Sequence, residues 1–299
     1  MRLFLLTILF LAMVNDTYSQ QIDIQGHRGA RGMMPENSIP AFIYAMDQGV
    51  TTLEMDVVIT KDHKVVVSHD PYLMHDICYN AKGEEITKKE EKEYNIYQMT
   101  YDEVTKCDCG SKGNPRFKEQ MKIKTSKPLL SDVIKAAEKH AKGVTLFEVG
   151  YNIEIKSLPE DDNIFQPTVD VFSDLVYNLI DQYLPWERVT IQSFDFRVLR
   201  YWHEKYPDVK LAVLIENPKS IKTNLKELGF TPAIYSSYHK LLNAGKVAEL
   251  RQLGIKVIPW TVNELSDMKK LISWKVDGLI TDYPNRAREL GLISAKPDK

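Results

Sequence analysis

Residues 38–59 read SIPAFIYAMDQGVTTLEMDVVI, and they hold one complete structural phrase. Ile39, Phe42, Ile43 and Met46 recur at helical spacing, so one face of this stretch is apolar. Asn37 is placed to cap the helix start, and Gly49 to end it, because glycine tolerates the left-handed turn that closes a helix. Residues 52–59 then alternate apolar and acidic side chains before a β-branched finish, which is the pattern of a strand.

The phrase recurs. Ala141-Lys142-Gly143, Glu227-Leu228-Gly229 and Gln252-Leu253-Gly254 repeat the closing glycine, and strand candidates occupy 153–155, 189–193, 211–214, 233–236, 256–260 and 278–281. Strands alternating with helices predict a parallel sheet, and about eight such units suit an α/β fold closed as a (β/α)₈ TIM-type barrel. Neither G-x-G-x-x-G nor G-x-x-x-x-G-K-S/T occurs to support an open nucleotide-binding sheet. Two stretches break the rhythm. Between Val58 and Val65 only Thr60-Lys61-Asp62-His63 intervenes, too short for a parallel crossover, so a hairpin is expected there. Residues 71–127 lack barrel periodicity and read as a small inserted subdomain after the third strand, covering one barrel end. Its run Lys88-Lys89-Glu90-Glu91-Lys92-Glu93 reads as a solvated face.

The chain opens with Met1-Arg2 and an apolar run from Leu3 to Val14, shorter than the roughly 20 residues a membrane span needs. With Thr17 and Ser19 ahead of a cut, residues 1–19 read as a signal peptide, leaving the barrel in 20–299 of an exported protein, periplasmic or secreted. Stable membrane insertion is not expected. The charge of -2, from 39 basic and 41 acidic residues, supplies no excess positive field for nucleic acid. Oligomeric state is not legible. Cys78, Cys107 and Cys109 lie close in sequence, and in an oxidising compartment Cys78 can pair with Cys107 or Cys109. Zinc would need a fourth ligand that C-x-C does not supply.

Polar residues gather at strand ends, where a barrel enzyme keeps its site. Glu54 and Asp56 lie two apart, so both carboxylates point to one side of their strand. Glu154, in Asn152-Ile153-Glu154-Ile155-Lys156, lies on a strand face that is polar throughout. Three buried carboxylates call for a compensating cation, and an all-oxygen set suits Ca²⁺ or Mg²⁺ better than zinc. His27 follows the first strand. His69 ends the hairpin's second strand, which brings it back beside Glu54 and Asp56. Imidazole titrates near neutrality, so one of this pair can take a proton while the other gives one. Arg28 and Lys156 offer permanent positive charge to phosphate oxygens. His63, His75, His140, His203 and His239 are read as surface or core residues, and Asp277 and Asp282 as structural loop residues.

Ordered motifs carry a family resemblance: His27-Arg28-Gly29, Pro35-Glu36-Asn37-Ser38, Glu54-x-Asp56, His69-Asp70, Asn152 to Lys156, Ser193-Phe194-Asp195, Trp260-Thr261-Val262-Asn263 and Asp277 to Pro284. From residue 25 to about 290 they resemble those of glycerophosphodiester phosphodiesterases, with Ser38 where that family more often has Thr. The resemblance implies a TIM-type barrel, one divalent cation held by Glu54, Asp56 and Glu154, and acid/base work by His27 and His69. It also implies phosphate held by Arg28, glycerol lined by Trp260, and hydrolysis of small-molecule glycerophosphodiesters to sn-glycerol 3-phosphate and an alcohol. Two other readings start from the same barrel: a phosphatidylinositol phospholipase C-like enzyme acting on intact lipid, and a non-catalytic barrel that only binds phosphodiesters.

Overall fold

The computed structural model describes residues 22–294. The expected signal peptide, residues 1–19, lies outside them. The chain enters through β1 (Asp23–Gly26), α1 (Ile39–Gln48), β2 (Thr52–Ile59) and β3 (Val65–Val67). After an elaborated segment containing α2 (Tyr101–Thr105), it continues as α3 (Leu130–His140), β4 (Gly150–Ile155), α4 (Val169–Ile180), β5 (Val189–Ser193) and α5 (Phe196–Lys205). It finishes with β6 (Lys210–Ile215), α6 (Ile221–Leu228), β7 (Ile234–Ser237), α7 (Ala244–Gln252), β8 (Lys256–Val257), α8 (Leu265–Ser273), β9 (Gly278–Thr281) and α9 (Pro284–Glu289).

Strand order is β8-β7-β6-β5-β4-β2-β1-β9, with every pair parallel. Backbone bonds from Asp277 N to Val257 O, Ile280 N to Pro259 O and Val262 N to Ile280 O, each 2.9 Å, carry the sheet from the β8 side round to β9. The eight strands therefore form a nearly closed barrel. β3 stands off this path, antiparallel to β2 in the register Val57 to Val67, Val58 to Val66 and Ile59 to Val65, which is the hairpin the short turn requires.

Local chemistry explains α1. Ser38 is the N-cap, its Oγ accepting from Ala41 N at 3.3 Å. Asn37, expected in that role, is turned to β2 instead. Gly49, at φ 93°, donates its N–H to Ala45 O and Met46 O and closes the helix. Phe42 and Met46 are buried under the barrel wall, each contributing about 1.5–3 kcal/mol of transfer free energy.

The barrel interior is split. Towards β6, β7 and β9 it is apolar, with Ala212, Ile234, Ile258 and Ile280 in one cluster against which Trp260 packs. Towards β1, β2, β4 and β5 it is polar and hydrogen-bonded: Asn152 Nδ2 donates to Gln25 Oε1 at 2.7 Å and Gln192 Oε1 at 3.0 Å, and Gln192 Nε2 donates to Glu54 Oε1 at 2.8 Å. Each N–H donor in this buried amide chain finds an acceptor in the next member, while Asn152 Oδ1 is buried without a partner among the described residues. The amide chain ends on a carboxylate.

Residues 71–127 build a small core of their own, in which Leu73, Ile77, Ile86, Ile96 and Val104 pack on Val58 and Val66 from the hairpin. The segment is tied to barrel loops by Met121 N to Met33 O at 2.8 Å, Gln120 Nε2 to Arg31 O at 2.7 Å, and Asn95 Nδ2 to Ile164 O at 2.7 Å. The charged run 88–93 is exposed except at Glu91, which is buried and holds His75 Nδ1 at 2.6 Å. Cys78 is bonded to Cys109, leaving Cys107 free and buried. Thiol titration under denaturing, non-reducing conditions should therefore find one reactive thiol per chain. Three would contradict the bridge.

Candidate active site

The site starts where β1 ends. Arg28 has φ 50° and Asn37 has φ 54°, left-handed conformations that cost a non-glycine residue free energy and persist only where the surroundings fix them. The fixing bonds are present. The Arg28 amide donates to Glu54 Oε2 at 2.8 Å, and its Nη1 donates to Glu36 Oε1 at 2.8 Å, with Nε 3.4 Å from Asp56 Oδ2. Asn37 Nδ2 donates to Asp56 Oδ2 at 2.8 Å, and the Asn37 amide N–H donates to Arg28 O at 3.0 Å, so the two left-handed residues are also tied to each other. At Gly29, φ 82°, a Cβ would come within 2.6 Å of the Ala41 backbone, so only glycine lets the β1 end approach α1 this closely.

The carboxylates come from neighbouring strands. In the β2–β4 register Glu54 faces Asn152 and Asp56 faces Glu154. One oxygen each from Glu54, Asp56 and Glu154 can be chosen so that all three lie within 4.8 Å of one another, and all three residues are buried. Burial and the negative charges of Asp56 and Glu154 push Glu54 well above the ordinary carboxylate range. Burial pushes Glu154 up to about 7, with Lys156 opposing and Asp56 reinforcing. Burial acts the same way on Asp56 but loses to Arg28, His69 and Lys156, which hold it below the usual range. Asp56 Oδ1 is buried with no hydrogen-bond partner among the described residues. Crowded, buried carboxylates with a bare oxygen fit a hard divalent cation, for which oxygen donors of this charge are the natural set.

Two histidines stand beside this cluster in different settings. His27 Nδ1 lies 2.6 Å from Asp282 Oδ1, and Asp282 is itself held by Arg31 Nε at 2.9 Å and Asn263 Nδ2 at 2.8 Å. A carboxylate can only accept, so the hydrogen is assigned to Nδ1 and Nε2 keeps its lone pair. Burial and the Arg31 charge lower His27 to about 4 against the pull of Asp282, so it is neutral at pH 7. His69 Nδ1 is 3.1 Å from Asp70 Oδ2 and its Nε2 is 3.2 Å from Lys156 Nζ. Burial, Arg28 and Lys156 lower it as well.

His27, Arg28, Glu54, His69, Glu154 and Trp260 line one cavity of about 120 Å³. Asp56 belongs to the carboxylate cluster. Lys156 borders the adjoining groove, and its Nζ donates to Glu154 Oε1 at 2.7 Å, so its charge is spent on that carboxylate before any phosphate arrives. Trp260 Nε1 donates to Ser236 O at 2.9 Å, and its ring meets Phe194 edge to face at 5.4 Å. Asp282 is a loop residue, as the sequence suggested, but it is also bonded to a site histidine. It follows the last residue of β9, and its carboxylate orients His27. The rule that polar strand-end residues belong to the site pointed to it. Arg31, Gln192 and Phe194, also unforeseen, line the same cavity.

The model of the glycerophosphoryl diester phosphodiesterase family matches residues 27–286. The chain belongs to this family. A glycerophosphodiester phosphodiesterase from Caldanaerobacter subterraneus is 30% identical over 262 residues, covering 86% of this chain and 93% of that one. A solved chain from Silicibacter pomeroyi, assigned to the glycerophosphoryl diester phosphodiesterases, is 27% identical with a TM-score of 0.82, covering 93% of this chain and 97% of the other. An Oleispira antarctica phosphodiesterase, solved in complex with the product sn-glycerol-3-phosphate, shares the fold at 21% identity, with a TM-score of 0.71 and coverage of 91% and 97%. As a glycerophosphodiester phosphodiesterase family member the protein is a phosphoric diester hydrolase on a TIM-type barrel.

Proposed function

We propose that this enzyme hydrolyses glycerophosphodiesters to sn-glycerol 3-phosphate and an alcohol, using one divalent cation, Ca²⁺ or Mg²⁺, at Glu54, Asp56 and Glu154 and an acid/base pair formed by His27 and His69. The observation that carries the proposal is the buried three-carboxylate cluster with its bare Asp56 oxygen, of which Glu54 and Glu154 line the same cavity as the two histidines. The product complex of the Oleispira antarctica relative supports the choice of substrate.

The cation, when bound, would withdraw charge from the phosphate oxygens and make phosphorus more open to attack. Arg28 borders the same cavity and adds permanent positive charge for those oxygens. His27 is neutral with Nε2 unprotonated, which suits it to take the proton from the attacking oxygen, either water or the glycerol 2-hydroxyl. As that oxygen bonds to phosphorus, the bond from phosphorus to the alcohol oxygen breaks and its electron pair leaves with the alcohol. His69 borders both the cavity and the groove beside it, and its Nε2 accepts from Lys156 Nζ in this structure; when protonated there, with Lys156 Nζ turned to Glu154 alone, it can pass that proton to the departing oxygen. Asp282 and Asp70 hold the two rings at Nδ1 and favour their charged forms. Trp260 and Phe194 supply an apolar wall for the glycerol carbons.

Export belongs to the same proposal, supported by the Cys78–Cys109 bridge, since disulfides persist in oxidising compartments. Among the described residues no helix is long and apolar enough to cross a membrane.

The test is removal and return of the cation. Treatment with a strong chelator should abolish release of glycerol 3-phosphate from soluble glycerophosphodiesters, and Ca²⁺ or Mg²⁺ should restore it. Full activity in chelator would contradict the proposal.

A further inference from the structure

Beside the catalytic cavity lies a groove of about 450 Å³ that shares His69, Glu154 and Phe194 with it. His69, the acid in the proposed mechanism, stands where the cavity and the groove meet. Its far wall comes from two segments, Pro71-Tyr72 after β3 and residues 157–166 after β4. Tyr72 and Phe165 meet edge to face, with ring centroids 6.0 Å apart. The wall is fixed in place by Gln166 Nε2, which donates to Ser157 Oγ at 2.9 Å and Leu158 O at 2.9 Å, and by the Asn95 bond to Ile164 O.

The charges on this wall are uneven. Asp162 is neutralised by Arg197, whose Nη1 lies 2.8 Å from its Oδ2. Asp161 and Glu160 line the groove and have no ion-pair partner among the described residues, and the Asp161 carboxylate makes no hydrogen bond there. Burial and the neighbouring Glu160 push Asp161 above the ordinary carboxylate range. Lys92, exposed on the rim, acts on it only through space. Lys156 and Asp70 also border the groove, but each is committed, to Glu154 and to His69.

From the cavity, the aromatic pair and the uncompensated carboxylates, we infer that this groove receives the departing alcohol and selects one that carries an ammonium group and no carboxylate. A quaternary or primary ammonium is attracted by aromatic ring faces and by a carboxylate short of positive charge, whereas a neutral polyol meets neither attraction. The inference rests on the proposed hydrolysis of glycerophosphodiesters and adds to it the class of head group.

The experiment compares kcat/KM of the cation-loaded enzyme on glycerophosphocholine, glycerophosphoglycerol and glycerophosphoserine. The choline ester should be preferred over the glycerol ester by about tenfold, the scale of one partly desolvated cation and aromatic contact with a carboxylate. Asp161→Asn and Phe165→Leu should each bring that ratio towards one, with unchanged far-UV circular dichroism reporting that the variants fold. A wild-type ratio near one, a ratio unmoved in both variants, or a preference for the serine ester, which would mean that Lys92 governs the groove, would overturn the inference while leaving the hydrolase reading intact. Hydrolysis of none of the three would sink both.

Discussion

Replacing His27 or His69 by alanine should lower kcat on glycerophosphodiesters by roughly a hundredfold or more, the usual scale for a lost general acid or base, while fold and cation affinity survive. Neither imidazole belongs to the Glu54, Asp56 and Glu154 cluster. Loss of His27 still leaves Asp282 bonded to Arg31 and Asn263. The pH dependence follows from the shifts. His27 stays neutral, and competent as a base, until pH falls towards about 4, so the acid limb of kcat/KM belongs there. His69 loses its proton as pH rises through a value below the ordinary imidazole range, which sets the other limb. The limbs describe the coupled pair and not one residue each. A bound phosphodiester brings negative charge beside both rings and raises both values, so the kcat profile should lie at higher pH than the kcat/KM profile.

The second large effect concerns the cation. At a hundred times its Kd, Ca²⁺ or Mg²⁺ should raise the unfolding free energy by about 2.7 kcal/mol, and Glu54→Gln, Asp56→Asn and Glu154→Gln should each remove most of that gain along with activity. The sign with pH is fixed by the carboxylates. Glu54 and Glu154 hold protons more tightly in the folded chain, so their contribution to stability is intact below the unfolded carboxylate value near 4.3 and is lost as pH rises through about 7 for Glu154. Stabilisation by the cation should therefore be larger at pH 8 than at pH 5. Without cation, Glu154→Gln should cost little at pH 8 because it removes a repelled charge. Asp56→Asn should cost about 1–3 kcal/mol at any neutral pH, since it withdraws charge from Arg28 and an acceptor from Asn37. Thermal melts across pH, with and without cation, measure all of this.

What the sequence could disclose depended on how local the deciding interaction was. The two-residue spacing of Glu54 and Asp56 already put both on one strand face, and alternation put Glu154 on the polar face of its own strand, but that this strand pairs with β2 is known only from the fold. The hairpin was legible because a four-residue turn admits no other connection. Longer-range partners were hidden. Asn37 looks like a helix cap, but it sits one residue early and its amide is recruited by Asp56, leaving Ser38 to cap. Asp282 is 255 residues from His27, and only barrel closure brings them together. The strand expected at 256–260 ends at Val257, with Trp260 making an isolated bridge to Tyr238, because Pro259 has no N–H to give the ladder. Glu91, in a run that reads as solvated, is drawn inward by His75.

The division of labour between the histidines is the centre of this account, and the leaving group tests it directly. A nitrophenyl ester of glycerol phosphate departs as a stable phenolate and needs little protonation, so it bypasses the acid but not the base. Measured as kcat on this ester against kcat on glycerophosphocholine, His69→Ala should recover most of its lost rate and His27→Ala should stay slow. Recovery by His27→Ala with His69→Ala still slow would reverse the assignment, and near wild-type turnover by both variants on glycerophosphocholine would contradict the two-histidine mechanism itself.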